Sequence, residues 1–98
     1  MKRRSYNIDI EVNGHAIKRV IIDPHYELKH SSSISDEIIL SLVEKLDGGE
    51  FRPIDQEGQY LYFVNDRMQL GNKLYKLVWL LDKNEIFIGV INAHRRKK

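Results

Sequence analysis

Two short stretches concentrate the side chains of this 98-residue chain that are suited to acid–base chemistry. The first, DPHYELKH at residues 23–30, carries His25, Tyr26, Lys29 and His30. The second, VINAHRRKK, carries His94, Arg95, Arg96, Lys97 and Lys98. Histidine ordinarily titrates near about 6.5, so it takes or gives a proton close to neutrality. A lysine beside it favours the neutral, basic imidazole and holds an anion. Guanidinium groups grip phosphate in a fork and stabilise charge developing on a phosphoryl group. Two histidines and several cations are a sufficient kit for cleaving RNA. The 2′-OH is an internal nucleophile, so a protein need only deprotonate it, protonate the leaving oxygen and stabilise the phosphorane. A cyclic phosphate would be the product.

On that reading His25 and His30 are the acid–base candidates and Lys29 supports them electrostatically. His94 is a further acid–base candidate. Arg95 joins the catalytic set and, with Arg96, Lys97 and Lys98, binds the RNA backbone. Tyr26 either hydrogen-bonds the site or packs, and His15, beside a turn, reads as a surface residue. The plain alternative is a set of solvated histidines and a basic tail. His25 and His30 are five apart, about 140° around a helix, which is poor spacing for a metal ion held by one helix. With no HExxH, no cysteine and no carboxylate cluster nearby, no metal ligands and no cofactor are assigned.

These residues need elements to hold them. Ile8, Ile10 and Val12 alternate with polar neighbours as a half-buried strand does. Asn13-Gly14 then marks a tight hairpin, and a return strand, HAIKRVIID, sets Ile10 opposite Ile17. The apolar parity shifts at Val20, Ile21 and Ile22, which implies either a bulge near Lys18-Arg19 or burial on both faces. Asp23-Pro24 opens a short helix over residues 24–30, ended by Ser31, Ser32 and Ser33. A longer helix follows, with Ser35 as N-cap, Asp36 and Glu37 in its first turn, and an Ile34–Ile39 hydrophobic staple. Its apolar stripe is Ile38, Ile39, Leu42, Val43 and Leu46, and Asp47-Gly48-Gly49 stops it.

EFRPIDQEG reads as a loop. Three β-rich segments complete the chain: QYLYFVND, NKLYKLVWLLD and EIFIGVINAH. Residues 74–81, where only Lys76 is polar, and residues 86–91 read as strands covered on both sides. The fold class expected is α+β: an N-terminal β-hairpin, then one short and one longer helix packed on an antiparallel three-stranded β-meander. Helices cover only one sheet face. Tyr60, Tyr62, Tyr75 and Trp79 supply much of the other, and the simplest cover for it is the hairpin folded across.

Composition sets the outer bounds. One domain spanning 1–98 has room for one modest core, burying roughly 60–70% of the surface its unfolded chain exposes. No apolar run approaches the ~18 residues of a membrane span, and the start alternates polar and apolar residues without a signal-peptide block. A cytoplasmic, cysteine-free protein is expected. Seven of the sixteen basic residues lie within residues 2–4 and 95–98, while residues 5–94 hold nine bases against fourteen acids, a net of −5. Basic ends, expected to be mobile at 1–4 and 95–98, on an acidic body point to an anionic partner met at the ends.

The element order, together with DPHYELKH and GVINAHRRKK, resembles the RelE-type toxins of toxin–antitoxin pairs. More broadly it resembles the barnase–colicin–RelE-like group of small ribonucleases, over residues 15–98. The resemblance implies a metal-independent endoribonuclease that cleaves mRNA, often on the ribosome, and is neutralised by a cognate antitoxin. It maps the family's sheet residues onto His94, Arg95 and Arg96, and the first-helix histidine onto His25 or His30. The acidic body and the added hairpin depart from that pattern. A second reading is a non-catalytic protein- or RNA-binding module of the same fold, phage- or plasmid-encoded, with its aromatic sheet face binding a partner or pairing as a homodimer. A third is a small phage or plasmid structural subunit.

Overall fold

A computed structural model describes residues 3–22, 34–84 and 86–96. The short helix expected at 24–30 lies outside the described residues, and with it His25, Tyr26, Lys29 and His30, as do Lys97 and Lys98. Among the described residues, six strands, β1 (Arg4–Val12), β2 (His15–Ile22), β3 (Asp55–Glu57), β4 (Tyr60–Leu70), β5 (Lys73–Asp82) and β6 (Phe87–Arg96), accompany one helix, α1 (Asp36–Glu44). All six strands form a single sheet in the order β1-β2-β6-β5-β4-β3. Strands β2 and β6 run parallel, from Arg19 opposite Phe87 to Ile22 opposite Val90, and every other pairing is antiparallel.

This corrects the expected architecture of a three-stranded antiparallel meander under two helices. The hairpin does not fold across the sheet; β2 docks on the free edge of β6 and adds two strands to it. Parallel pairing needs a long crossover, and here everything between β2 and β6 serves as that crossover. Part of the supposed loop, Asp55–Glu57, pairs with Tyr60–Tyr62 as an edge strand. A mixed six-stranded sheet with one short helix among the described residues results.

Local features match the sequence more closely. Asn13 and Gly14 take φ of 53° and 78°, the paired left-handed conformation that lets a two-residue turn match strand twist. Ile10 faces Ile17. The irregularity near Lys18 is an extra residue in β1, which spends Ile8 and Asp9 against Lys18 alone. Ser35 caps α1, its hydroxyl accepting from the Ile38 amide at 3.2 Å. Ile34, Ile39, Leu42, Val43 and Leu46 are buried in the core.

Strand β5 shows how the core is built. Tyr75, Leu77, Trp79 and Leu81 are buried, while Leu74, Lys76, Val78 and Leu80 between them are half-buried. One face therefore packs under α1 and the other stays open, contrary to the expectation of cover on both sides. Trp79 stacks on Phe63 at 4.1 Å, meets Phe51 edge-on at 5.5 Å, and donates its indole N–H to Asn65 Oδ1 at 2.7 Å. Such ring pairs add about 0.5–1.5 kcal/mol beyond burial. Tyr75 and Trp79 thus belong to the core, and of the four aromatic residues assigned to the far face only Tyr60 and Tyr62 lie on it. No described helix is long and apolar enough to cross a membrane.

Candidate functional site

The open face owes its chemistry to one extra residue. In β6, Ile88 and Val90 face the core, opposite Leu81 and Trp79. Unbroken alternation would send Asn92, His94 and Arg96 the same way. A bulge at Ile91 intervenes: Trp79 pairs with Val90, and its neighbour Val78 pairs with Asn92. Beyond it Ala93 is buried in the core, while Asn92, His94 and Arg96 turn to the open face. Bulges re-aim side chains in this way beside functional sites.

Across the ladder His94 stands directly opposite Lys76, a relation that holds β carbons about 4.5–5.5 Å apart. Arg96 stands opposite Leu74 and reaches over β5 so that its Nη1 donates to Asp66 Oδ1. Asn92 Oδ1 is buried and accepts no hydrogen bond from the described residues. An imidazole, an ammonium, a guanidinium and a carboxamide oxygen thus share one surface. Arg95 does not join them, because it lies opposite Tyr75 on the α1 side of the sheet. Arg4 opens β1, and Arg95 and Arg96 close β6, so these basic residues are strand residues.

Further along the same face lies a hollow of about 370 Å³. Ile21, Leu80 and Phe87 line it, with Tyr60 and Tyr62 on one side and Gly89 in its floor. A β-carbon at Gly89 would stand 3.0 Å from Leu80 Cγ, so the bare backbone is what lets Leu80 lie there. Strand β3 adds carboxylates along the rim, with Asp55 opposite Tyr62 and Glu57 opposite Tyr60. Burial, reinforced by the nearby Glu57 carboxylate, raises the Tyr62 phenol above its ordinary value. It is a neutral donor at physiological pH.

No protein-family model matches the chain, and no curated protein or solved structure is detectably similar to it. The site therefore stands on its geometry. His94 and Arg96 come together as the strand alternation required, Arg95 points away, and His25, Lys29, His30, Lys97 and Lys98 lie outside the described residues. Lys76 was the member missed, although its isolation as the one polar residue in an eight-residue apolar run was a usable signal. His15 is exposed, as expected for a residue beside a turn.

A second polar cluster serves the fold. Arg4 grips Asp36 with two parallel bonds, Nε to Oδ2 at 2.6 Å and Nη2 to Oδ1 at 2.9 Å, and the Tyr6 hydroxyl also donates to Oδ2. The Arg4 guanidinium, ahead of the Tyr6 bond, holds the Asp36 carboxyl below the usual aspartate range despite partial burial. The Asp36 carboxylate in turn raises the Tyr6 phenol. Asp82 is buried yet satisfied, accepting from Gln59 Nε2 at 2.8 Å and the Asn84 amide at 2.9 Å.

Proposed function

We propose that this chain is a metal-independent endoribonuclease acting on single-stranded RNA from the open face of its sheet. The observation that carries the reading is the cross-strand pair of His94 and Lys76, with Arg96 two residues along the same strand. His94 takes the proton from a 2′-OH as the 2′ oxygen bonds to phosphorus. Lys76 and Arg96 stabilise the extra negative charge on the phosphorane oxygens. The bond from phosphorus to the 5′ oxygen then breaks, and an acid protonates that oxygen, leaving a 2′,3′-cyclic phosphate and a 5′-hydroxyl. His25 and His30 are the candidates for that acid, with Lys29 as support. Arg96 is available because its partner Asp66 is exposed, and exposed ion pairs hold weakly. An mRNA-cleaving toxin with a cognate antitoxin is the setting the RelE resemblance implies.

Cleavage of a mixed-sequence RNA in EDTA tests this, with wild type beside His94→Ala, Lys76→Ala, His25→Ala and His30→Ala. Loss of His94 is expected to slow cleavage by about 10²–10⁴ and loss of Lys76 by about 10²–10³. Equal cleavage by every variant rejects the assignment. The second reading, a non-catalytic RNA-binding module, rests on the aromatic hollow beside these cations. It is favoured if wild type binds RNA with strong salt dependence and leaves it intact.

A further inference from the structure

The hollow and the His94–Lys76 pair share one face and are separated along β5 by the four residues from Leu80 to Lys76, about 13 Å at strand rise. That is a short step along a single strand of nucleic acid. We propose that the hollow is a nucleobase subsite, which selects an RNA base bearing an exocyclic amino group and sets the register of the strand over His94. The inference rests on the reading of this chain as one that handles RNA.

Size, surface and charge all support it. About 370 Å³ is at the lower end of what small-molecule sites use and accommodates one base rather than a folded partner. Phe87 and the two tyrosines offer ring faces, and base–aromatic stacking is the usual grip on single strands because every base has a π-face. The charges are divided across the hollow. Arg3 lines it, and the exposed Arg19 stands opposite Phe87, so cations flank one side. Asp55 and Glu57 stand along the β3 rim on the other. A nucleotide carries the matching polarity, with phosphate at one end and, on cytosine, adenine or guanine, amino donors at the other. Carboxylates accept from such amino groups, as from cytosine N4. Uracil presents carbonyl oxygens there, which a carboxylate repels.

Binding is best read without cleavage, using 2′-O-methyl hexamers of cytidine and of uridine, whose blocked 2′ oxygen cannot attack. Fluorescence anisotropy on wild type is expected to show cytidine bound about tenfold more tightly than uridine. Glu57→Gln, an exposed position that leaves the core untouched, is expected to abolish the preference by weakening cytidine binding and strengthening uridine binding, since the acceptor for the amino group and the repulsion of the carbonyl oxygen are lost together. Tyr62→Ala, checked for native circular dichroism, is expected to weaken both by about tenfold. Equal binding of both hexamers, or a preference that Glu57→Gln leaves intact, overturns the subsite. So does a concentration-dependent dimer, broken by Tyr62→Ala, that binds neither hexamer; the face would then belong to a second copy. Selective binding by a protein that never cleaves RNA upholds the subsite and rejects only the nuclease. Cleavage with no base selectivity in either assay does the reverse.

Discussion

Asp36 sits in the first turn of α1, where a negative charge suits the helix dipole, and two residues of β1 converge on its carboxylate. Charge-assisted, forked bonds of this kind are stronger than neutral ones, though water still reaches both partners. Asp36→Asn is expected to cost about 1 kcal/mol at neutral pH, measured by urea unfolding. The pH dependence has a definite sign. Because the folded-state value of Asp36 is depressed, its contribution is complete above the unfolded aspartate value of about 3.9. It is lost as pH falls through the lower folded value. Tyr6 behaves oppositely, since its folded value is raised. Its contribution holds below about 10 and is lost as pH rises through the folded value. Wild type and Asp36→Asn should therefore converge in strong acid, and a constant gap down to pH 2 would refute the assignment.

At the scale of elements, the hairpin turn is tied to the segment leaving α1. Asn13 holds a left-handed φ and also bonds Phe51 twice through its side chain, donating to the carbonyl at 3.1 Å and accepting from the amide at 2.6 Å. Its own amide donates to Gly49 O at 3.0 Å, and Gly48 N donates to Glu11 O at 2.7 Å. Asn13→Ala removes both side-chain bonds and keeps the unfavourable φ, so a loss of about 2–3 kcal/mol is expected. Asn13→Asp keeps the acceptor and the turn preference and should recover part of it. Thermal melts of the two variants measure this. The turn itself is legible in the Asn-Gly dipeptide. The second role is not, because it joins positions 38 residues apart. Helix α1 was legible for the converse reason, since cap, staple and stripe are all local signals. The Ile91 bulge carries no such signal, yet it alone turns His94 and Arg96 away from the core.

For the molecule as a whole, the hairpin is part of the core rather than an attachment to it. Ile10, Val12, Ile17, Val20 and Ile22 are all buried with Trp79 and Ile88 in one cluster. Deleting residues 1–14 is expected to leave a protein without a cooperative melt, because it strips two core side chains and bares the β2 edge. A deletion variant that melted cooperatively near the wild-type midpoint would return the hairpin to the status of an appendage.

The local pieces are legible in the residues alone: the Asn13-Gly14 turn, the Ile10–Ile17 register, the capped helix, the β-rich second half and the histidine–arginine ending. Each depends on interactions within a few residues, which composition and periodicity record. The tertiary structure decided which edges pair, which face stays open and which side chains meet there. Neither the parallel β2–β6 seam nor the His94–Lys76 pair can be read from alternation, because strand periodicity states that a side chain has a face but not which face is covered. That choice belongs to the whole sheet, where β2 meets β6 and one bulged residue reverses the facing of the rest of the last strand.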